Sequence, residues 1–463
     1  MAPIVAGVDS STQSVKVVLR DAESGELIAQ TSRPHPDGTE VDPRHWYQAL
    51  DSALKELASH PIDAISIAGQ QHGMVALDAS GEVIRPALLW NDTRSSGEAE
   101  EINEEFPNIH QSTGSKLVAS FTASKVRWLS KNEPESAKKV SAIALPHDWL
   151  SWKLQGGNQI NNLFTDRSDA SGTGYFDSVN NQYCGDIFSF CLPNAEDIHL
   201  PKIVAPNKIA GETADGIPIA AGAGDNAGAA LGVGAKVGDL VISLGTSGTA
   251  FVVSSTPTHD LSGEVAGFAD ATGNYLPLAC TLNAAKIFAS TSAMLNLTFD
   301  QFSELALTAR SGADGLRLLP HFDGERTPNR PNSRGQLVGI NHSNFTRENI
   351  ARAAIEGVLA GMVYAATAVS KLGVNWNRVL LIGGAAKNSA VQKIAAKLFG
   401  GEVVIPAPGE YVADGAAKQA AWALIGAKEL PDWKDSKIET LTADYSEEDR
   451  EVVTSYLNLI SKI

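Results

Sequence analysis

The chain has 463 residues, 43% of them hydrophobic and 19% charged, and a formal net charge of −16. That composition is ordinary for a globular protein with a sizeable core, and the length allows more than one domain. The negative balance argues against non-specific binding of nucleic acid or of an anionic membrane. It leaves room for a local phosphate site, where backbone N–H groups and a metal supply positive potential.

Residues 4–8, 15–20 and 26–31 read as strands of a small antiparallel meander, with Glu23-Ser24-Gly25 as a turn. Asp9, Ser10, Ser11, Thr12, Gln13 and Ser14 form the tip of its first hairpin. Residues 43–59 have helical periodicity, with Trp46, Leu50, Leu54 and Leu57 on one face and Pro43 at the start. Residues 62–68 read as a buried strand, which makes an α/β lobe. The stretch 93–210 reads as mostly helical, with few strand signals. A strand at 217–223 and a small-residue helix at 226–234 close this half. A boundary near Lys236-Val237-Gly238 divides the chain into lobes of residues 1–237 and 238–463.

The second lobe opens with another apolar hairpin, LVISLGTSGTAFVV, whose tip is Gly245, Thr246, Ser247 and Gly248. Helices are expected over 283–311 and 346–372. A strand at 379–382, a turn at Gly383 and Gly384, and a helix from about 388 follow. A strand at 402–405, an Ala-rich helix at 412–425 and a C-terminal helix over 446–462 complete the chain. Cys184, Cys191 and Cys280 form no CxxC pair, and an odd count makes no disulfide framework. A reducing, cytoplasmic setting follows from that. Neither a leader nor a long apolar run is visible, so no signal peptide and no membrane span are expected.

The two hairpin tips carry the first chemical argument. Ser, Thr and Gly at a tip let backbone N–H groups and hydroxyls approach an anion closely. One such tip in each half is what two similar lobes gripping one polyphosphate would need. Asp9 beside a polyphosphate makes sense when a cation bridges them, and Mg²⁺ binds through one or two carboxylates plus phosphate oxygens. The competing reading of Asp9 is an Asx-turn. Lys16 is placed to pair with a phosphate, or to be a solvated strand lysine.

Asp225, in AGAGDNAGAALG, follows a buried strand and opens a small-residue helix. Active-site groups of α/β folds collect at such strand ends. Phosphoryl transfer to an alcohol needs a base there, although an N-cap aspartate fits the same pattern. GQQHG (69–73) and LLWNDTR (88–94) each place polar groups directly after an apolar strand. Gln70, Gln71, His72, Asn91 and Asp92 with Trp90 are the mixture a sugar pocket uses. Gly383, Gly384 and Asn388 lie at a turn before a helix, as a nucleotide-side turn would. The small residues of EYVADGAAKQAA (410–421) fit either an adenine wall or tight helix packing.

Taken in order, these segments resemble the FGGY carbohydrate kinases over nearly the whole chain, and among them the xylulokinases. GVDSSTQSVKVVL and ISLGTSGTAFVV are similar to the two phosphate hairpins, and GQQHG and LLWNDTR to the sugar-site strands. SDASGTGYFD and LPHFDGERTPNRPNSRG have counterparts, GAGDNAGAALGVG resembles the catalytic-aspartate motif, and GGAAKN and ADGAA the adenosine motifs. The chain departs from the pattern at Ser11, Gln71 and Ala385, none of which is a charged catalytic group.

The resemblance implies an actin-like, ribonuclease-H-like α/β fold of two lobes with an interlobe cleft. It implies ATP and Mg²⁺, and phosphorylation of D-xylulose at its 5-hydroxyl. By matched position, Asp225 is the base and Asp9 organises magnesium. Thr12, Lys16, Thr246 and Ser247 line the phosphates. Gln71, His72, Trp90, Asn91 and Asp92 face the sugar, and Gly383, Gly384 and Asn388 lie on the adenosine side. The partners implied are a small sugar and ATP, with neither nucleic acid nor membrane, and a homodimer is compatible with this. The rivals are another kinase of the family, for ribulose, gluconate or glycerol, and a non-catalytic actin-like nucleotide-binding protein.

Overall fold

Val5, Ala6 and Val8 on one strand and Val15, Val17, Val18 and Leu19 on the next are all buried. Strands that bury both faces belong at the centre of a sheet, and the computed structural model puts this hairpin there. It describes residues 2–193, 195–433 and 439–462. Ile4–Ser10, Ser14–Asp21 and Leu27–Pro34 form an antiparallel meander. Ala64–Gly69 lies parallel to Ile4–Ser10 on its other side. Pro218–Ala220 and Ala223–Gly224 both run parallel to Ala64–Gly69. The helix Pro43–Glu56 makes the connection, capped by Asp42 with Pro43 in its first turn. Its Trp46 meets the ring of Trp149 edge-on at 6.5 Å.

A second sheet repeats the plan. Asp239–Leu244 is antiparallel to Gly248–Val252, which pairs with Tyr275–Thr281. On the other side of Asp239–Leu244 lies the parallel strand Arg378–Ile382, followed by Glu402–Ile405. Glu439–Thr442 closes that edge antiparallel. Each sheet therefore centres on a hairpin whose first strand also has a parallel neighbour. The helix Arg347–Ser370 is long and apolar enough to cross a membrane, but most of it is buried in the core of its own unit.

Residues 275–281 and 283–311 are among the segments that differ from expectation. Tyr275–Thr281 carries Pro277, which has no N–H to donate and so weakens the strand pattern. The helix expected over 283–311 is two helices, Ala285–Met294 and Phe299–Thr308. Asn296 between them is left-handed (φ 53°), and Thr298 opens the second with a capping box to Gln301.

The chain divides into two compact units. One holds Met1–Gly234, Gly267–Tyr275 and Gly409–Lys434; the other holds Ala235–Ala266, Leu276–Pro408 and Asp435–Ile463. This differs from a single division at 237/238, because residues 267–275 and 409–434 pack with the first unit. The helix Tyr411–Ile425 shows why. A Cβ on Gly415 would lie 1.9 Å from the Gly228 carbonyl oxygen, and one on Gly7 would lie 1.9 Å from that of Ala413. Glycine alone permits such approaches. The small residues of EYVADGAAKQAA thus seat this helix on Asp225–Gly232 and on the first sheet, and the adenine-wall reading of them on the second lobe is corrected.

Candidate active site

The parallel register of the first sheet builds the site. Asp9 sits beside Ala68 and Ser10 beside Gly69, while Ala223 and Gly224 flank the same two residues from the other side. Three strands therefore end at one edge and deliver Asp9, Gln70-Gln71 and Asp225 there. Carboxyl ends of parallel strands are where α/β folds place their ligands.

Asp225 is the first residue of its helix, and Gly224 occupies the N-cap position. The aspartate is therefore not spent as a cap. Its Oδ1 accepts from the Asn226 backbone N–H at 2.7 Å and from Asn226 Nδ2 at 2.8 Å. Burial pushes its carboxyl up to about 6, against those two hydrogen bonds. A carboxyl poised near neutrality suits a general base. The backbone leading into it is held as well. The Gly224 N–H donates to Ser168 Oγ at 3.0 Å, and Gln71 Nε2 donates to the Ser168 carbonyl at 3.3 Å. A Cβ on Gly224 would meet Gln71 Nε2 at 2.7 Å, so Gln71 packs directly against the residue before the base.

Asp9 is 5% exposed, and burial pushes its carboxyl up to about 7. Lys16 opposes that rise, while the charges of Asp225 and Glu410 add to it. Its Oδ1 is buried with no hydrogen-bond partner among the described residues. A hard oxygen donor with unfilled capacity, beside a hydroxyl-rich tip, fits a magnesium ion. Lys16 Nζ stands 4.0 Å from Asp9 Oδ2 and 2.6 Å from Glu410 Oε2.

At the hairpin tip, Ser11 donates from both its N–H and its hydroxyl to the Ser14 carbonyl, at 3.1 and 3.0 Å. Thr12 Oγ1 donates to Gln70 Oε1 at 3.2 Å and accepts from Trp90 Nε1 at 2.9 Å.

The other sugar-side residues have structural duties too. His72 is left-handed (φ 67°), meets the Gly172 carbonyl through Nδ1 at 2.5 Å, and packs against Phe121 and Phe268. Asp92 accepts from Thr39 and, twice, from the Arg94 side chain, and is held below its ordinary range by those bonds despite burial. Asn91 Oδ1 is buried without a hydrogen-bond partner among the described residues.

Behind this edge lies a group that sequence reasoning missed. His147 Nδ1 contacts Asp169 Oδ2 at 2.6 Å and Asp148 Oδ1 at 3.4 Å, all fully buried. Asp166 caps the same turn by accepting from the N–H groups of Ser168 and Asp169. Ligand atoms of His147, Asp148 and Asp169 lie within 4.8 Å of one another. The imidazole Nδ1 and Asp169 Oδ2 make a buried ion pair, while Asp169 Oδ1, Asp148 Oδ1 and His147 Nε2 are buried with no hydrogen-bond partner among the described residues. Their sequence separation hid this cluster, as it hid Ser168 and Glu410.

In the second unit, Gly245 N–H donates to the Ser247 carbonyl at 3.0 Å, which closes a tight tip. Thr246 is exposed at its apex. Gly383 has φ 94°, and a Cβ there would lie 2.6 Å from the Leu244 carbonyl oxygen, while Gly384 faces open space. Asn388 Oδ1 accepts from Ala390 N–H, Val391 N–H and Ser303 Oγ, so it caps the helix Ser389–Phe399. Its carbonyl oxygen is thereby committed to the fold.

Comparison with known proteins agrees along the chain. Residues 4–232 match the N-terminal domain of the FGGY family of carbohydrate kinases, and residues 240–424 match its C-terminal domain. A xylulose kinase of Streptomyces coelicolor is 42% identical over 442 residues, covering 92% of this chain and 89% of its own. The crystal structure of a xylulose kinase from Bifidobacterium adolescentis has a TM-score of 0.91 and 43% identity, covering 98% of this chain and 99% of that one. A gluconate kinase of Lactobacillus acidophilus superposes with a TM-score of 0.90 at 23% identity, covering 100% and 97%, which shows the shared fold alone. Two domain signatures in sequence order, and relatives matched over nearly their full length, make this chain a member of the FGGY family of carbohydrate kinases.

Proposed function

We propose that this enzyme transfers the γ-phosphoryl group of ATP to the 5-hydroxyl of D-xylulose, with Asp225 as general base. The observation that carries the reading is Asp225 itself: a near-neutral carboxyl at the end of a parallel strand, with Gln71 packed against the residue before it. The xylulose kinases at 42 and 43% identity support the choice of sugar.

In this reading Asn226 occupies Oδ1 of Asp225 and leaves Oδ2 for the sugar hydroxyl. As the hydroxyl oxygen bonds to the γ-phosphorus, its proton passes to Asp225. The bond from that phosphorus to the bridging oxygen breaks, and ADP leaves with the electron pair. Asp9 would hold magnesium, which when bound neutralises charge on the phosphates. Lys16 and Thr12 take phosphate oxygens once released from Glu410 and Gln70. In the second unit the assignment gives phosphate contacts to Thr246 and Ser247 and adenosine contacts to Gly383, Gly384 and Asn388. Cys184, Cys191 and Cys280 are not joined in disulfides, which accords with work in a reducing cytoplasmic compartment.

The test is ADP release with D-xylulose, D-ribulose, L-ribulose, gluconate and glycerol side by side. D-xylulose is expected to give the highest kcat/KM. A higher value with another sugar would move the enzyme to that substrate. ADP release independent of every sugar would favour a non-catalytic nucleotide-binding role.

A further inference from the structure

Lys16 and Asp9 are directly opposite one another in the N-terminal hairpin. Such cross-strand partners have side chains on one face, about 5 Å apart at Cβ, close enough for an ammonium to close on a carboxylate. Here it does not close. Nζ stands 4.0 Å from Asp9 and 2.6 Å from Glu410, the residue just before the helix Tyr411–Ile425 in the same unit.

A neighbouring contact ties the same helix independently of Glu410. Four residues along the strand, Arg20 binds Asp414 Oδ1 through both Nε and Nη2 at 2.7 Å, and its Nη1 donates to the Gly25 carbonyl at 2.6 Å. Those side chains are 19% and 11% exposed, whereas those of Lys16 and Glu410 are 34% and 40% exposed. The arginine pair is a buried, multiply bonded clamp. The lysine pair is a single, half-exposed contact that solvent weakens. What the lysine pair does change is Asp9. A lysine seated on Asp9 would have to be displaced by any incoming cation. With the lysine drawn aside, Oδ2 of Asp9 stands 4.0 Å from the ammonium, and Oδ1 is buried without a hydrogen-bond partner among the described residues.

We infer that Glu410 is a positioning residue: it draws Lys16 away from Asp9 and so keeps that carboxylate open to a divalent cation. The inference rests on the reading of Asp9 as the residue that holds magnesium. Arriving phosphate then offers Lys16 a second anionic partner, so Glu410 is needed most before the nucleotide binds.

The test measures ADP binding to the full chain by titration calorimetry across a range of magnesium concentrations. Glu410→Gln should raise the magnesium concentration for half-maximal effect about two- to fivefold, the range of an exposed ion pair. In a Lys16→Met background, adding Glu410→Gln should leave that concentration where Lys16→Met alone puts it, because no ammonium then competes. If Glu410→Gln raises the concentration equally in that background, Glu410 acts on the metal itself and the inference is overturned. A lower melting temperature with unchanged magnesium dependence would make Glu410 a plain staple, and would also overturn it. Asp9→Asn separates the two levels. If that variant leaves the magnesium dependence unchanged, the reading of Asp9 fails. If it raises the requirement while Glu410→Gln does not, only the present inference fails.

Discussion

Trp90 donates its indole N–H to the hydroxyl of Thr12 at 2.9 Å, and so ties a loop read as sugar-facing to a turn read as phosphate-binding. The same hydroxyl gives its own proton to Gln70. Thr12 is thus held in one orientation from both sides. Trp90→Phe keeps the aromatic surface and removes the donor. Loss of one such bond is worth roughly two- to tenfold. The expected result is a rise of that size in KM for ATP as well as for D-xylulose. A change confined to the sugar would show that Trp90 does not orient Thr12.

The parts of the site that were legible in the sequence are local. Apolar runs on either side of a hydroxyl-rich tip announce a hairpin, and Gly-rich sequence around Asp225 announces a strand end. The contacts that were not legible join distant segments. Lys16 and Glu410 are 394 positions apart, and Ser168 and Gly224 are 56 apart. No periodicity encodes such pairs, because packing of whole elements decides them. The helix Tyr411–Ile425 makes the same point. Its small residues satisfy a flat ligand and a close-packed helix equally well, and only the packing of Gly415 on Gly228, too close to admit a Cβ, distinguishes them.

Asp225→Asn keeps the shape of the side chain and removes the base. A loss of about 10²–10⁴-fold in kcat is expected. In the unaltered enzyme kcat/KM for D-xylulose should fall as pH drops through about 6, because burial raises the carboxyl to that value. The same burial has a stability consequence of known sign. The folded chain holds this proton more tightly than the unfolded chain, whose ordinary value is 3.8. The residue therefore costs stability increasingly from about pH 4 to about pH 6, and that cost persists above. Asp225→Asn should accordingly melt higher than wild type at pH 8 and no higher near pH 4. Near-normal turnover in the variant would remove Asp225 from the base role.

Thr246 projects from the second hairpin tip and is exposed, so Thr246→Val should leave the melting temperature in place. The hydroxyl it removes is assigned to a phosphate. Affinity for ADP with magnesium should fall roughly two- to tenfold. Unaltered affinity would make this tip a turn without a ligand.

The His147 cluster predicts strong coupling between buried charges. Burial opposes the imidazolium, yet the charges of Asp148, Asp169 and Asp166 push it up to about 10, so it is a cation at neutral pH. It is wedged where two strands end. A Cβ on Gly222 would lie 2.4 Å from its Cδ2, and one on Gly69 would lie 3.0 Å from its Cβ. Those strands deliver Asp225 and Gln70. Removing one member of a buried ion pair leaves the other uncompensated and typically costs about 3–5 kcal/mol. His147→Gln strands the carboxylates, and Asp169→Asn takes from the imidazolium its shortest contact. Each single change should therefore destabilise by about that amount, while the double variant should lose less than the sum, since Asp169 is then no longer left charged without its cation. Denaturant unfolding of the four proteins measures the coupling directly. Simple additivity would mean that the 2.6 Å contact contributes nothing beyond packing, and that the ends of the two strands are held by their backbone bonds alone.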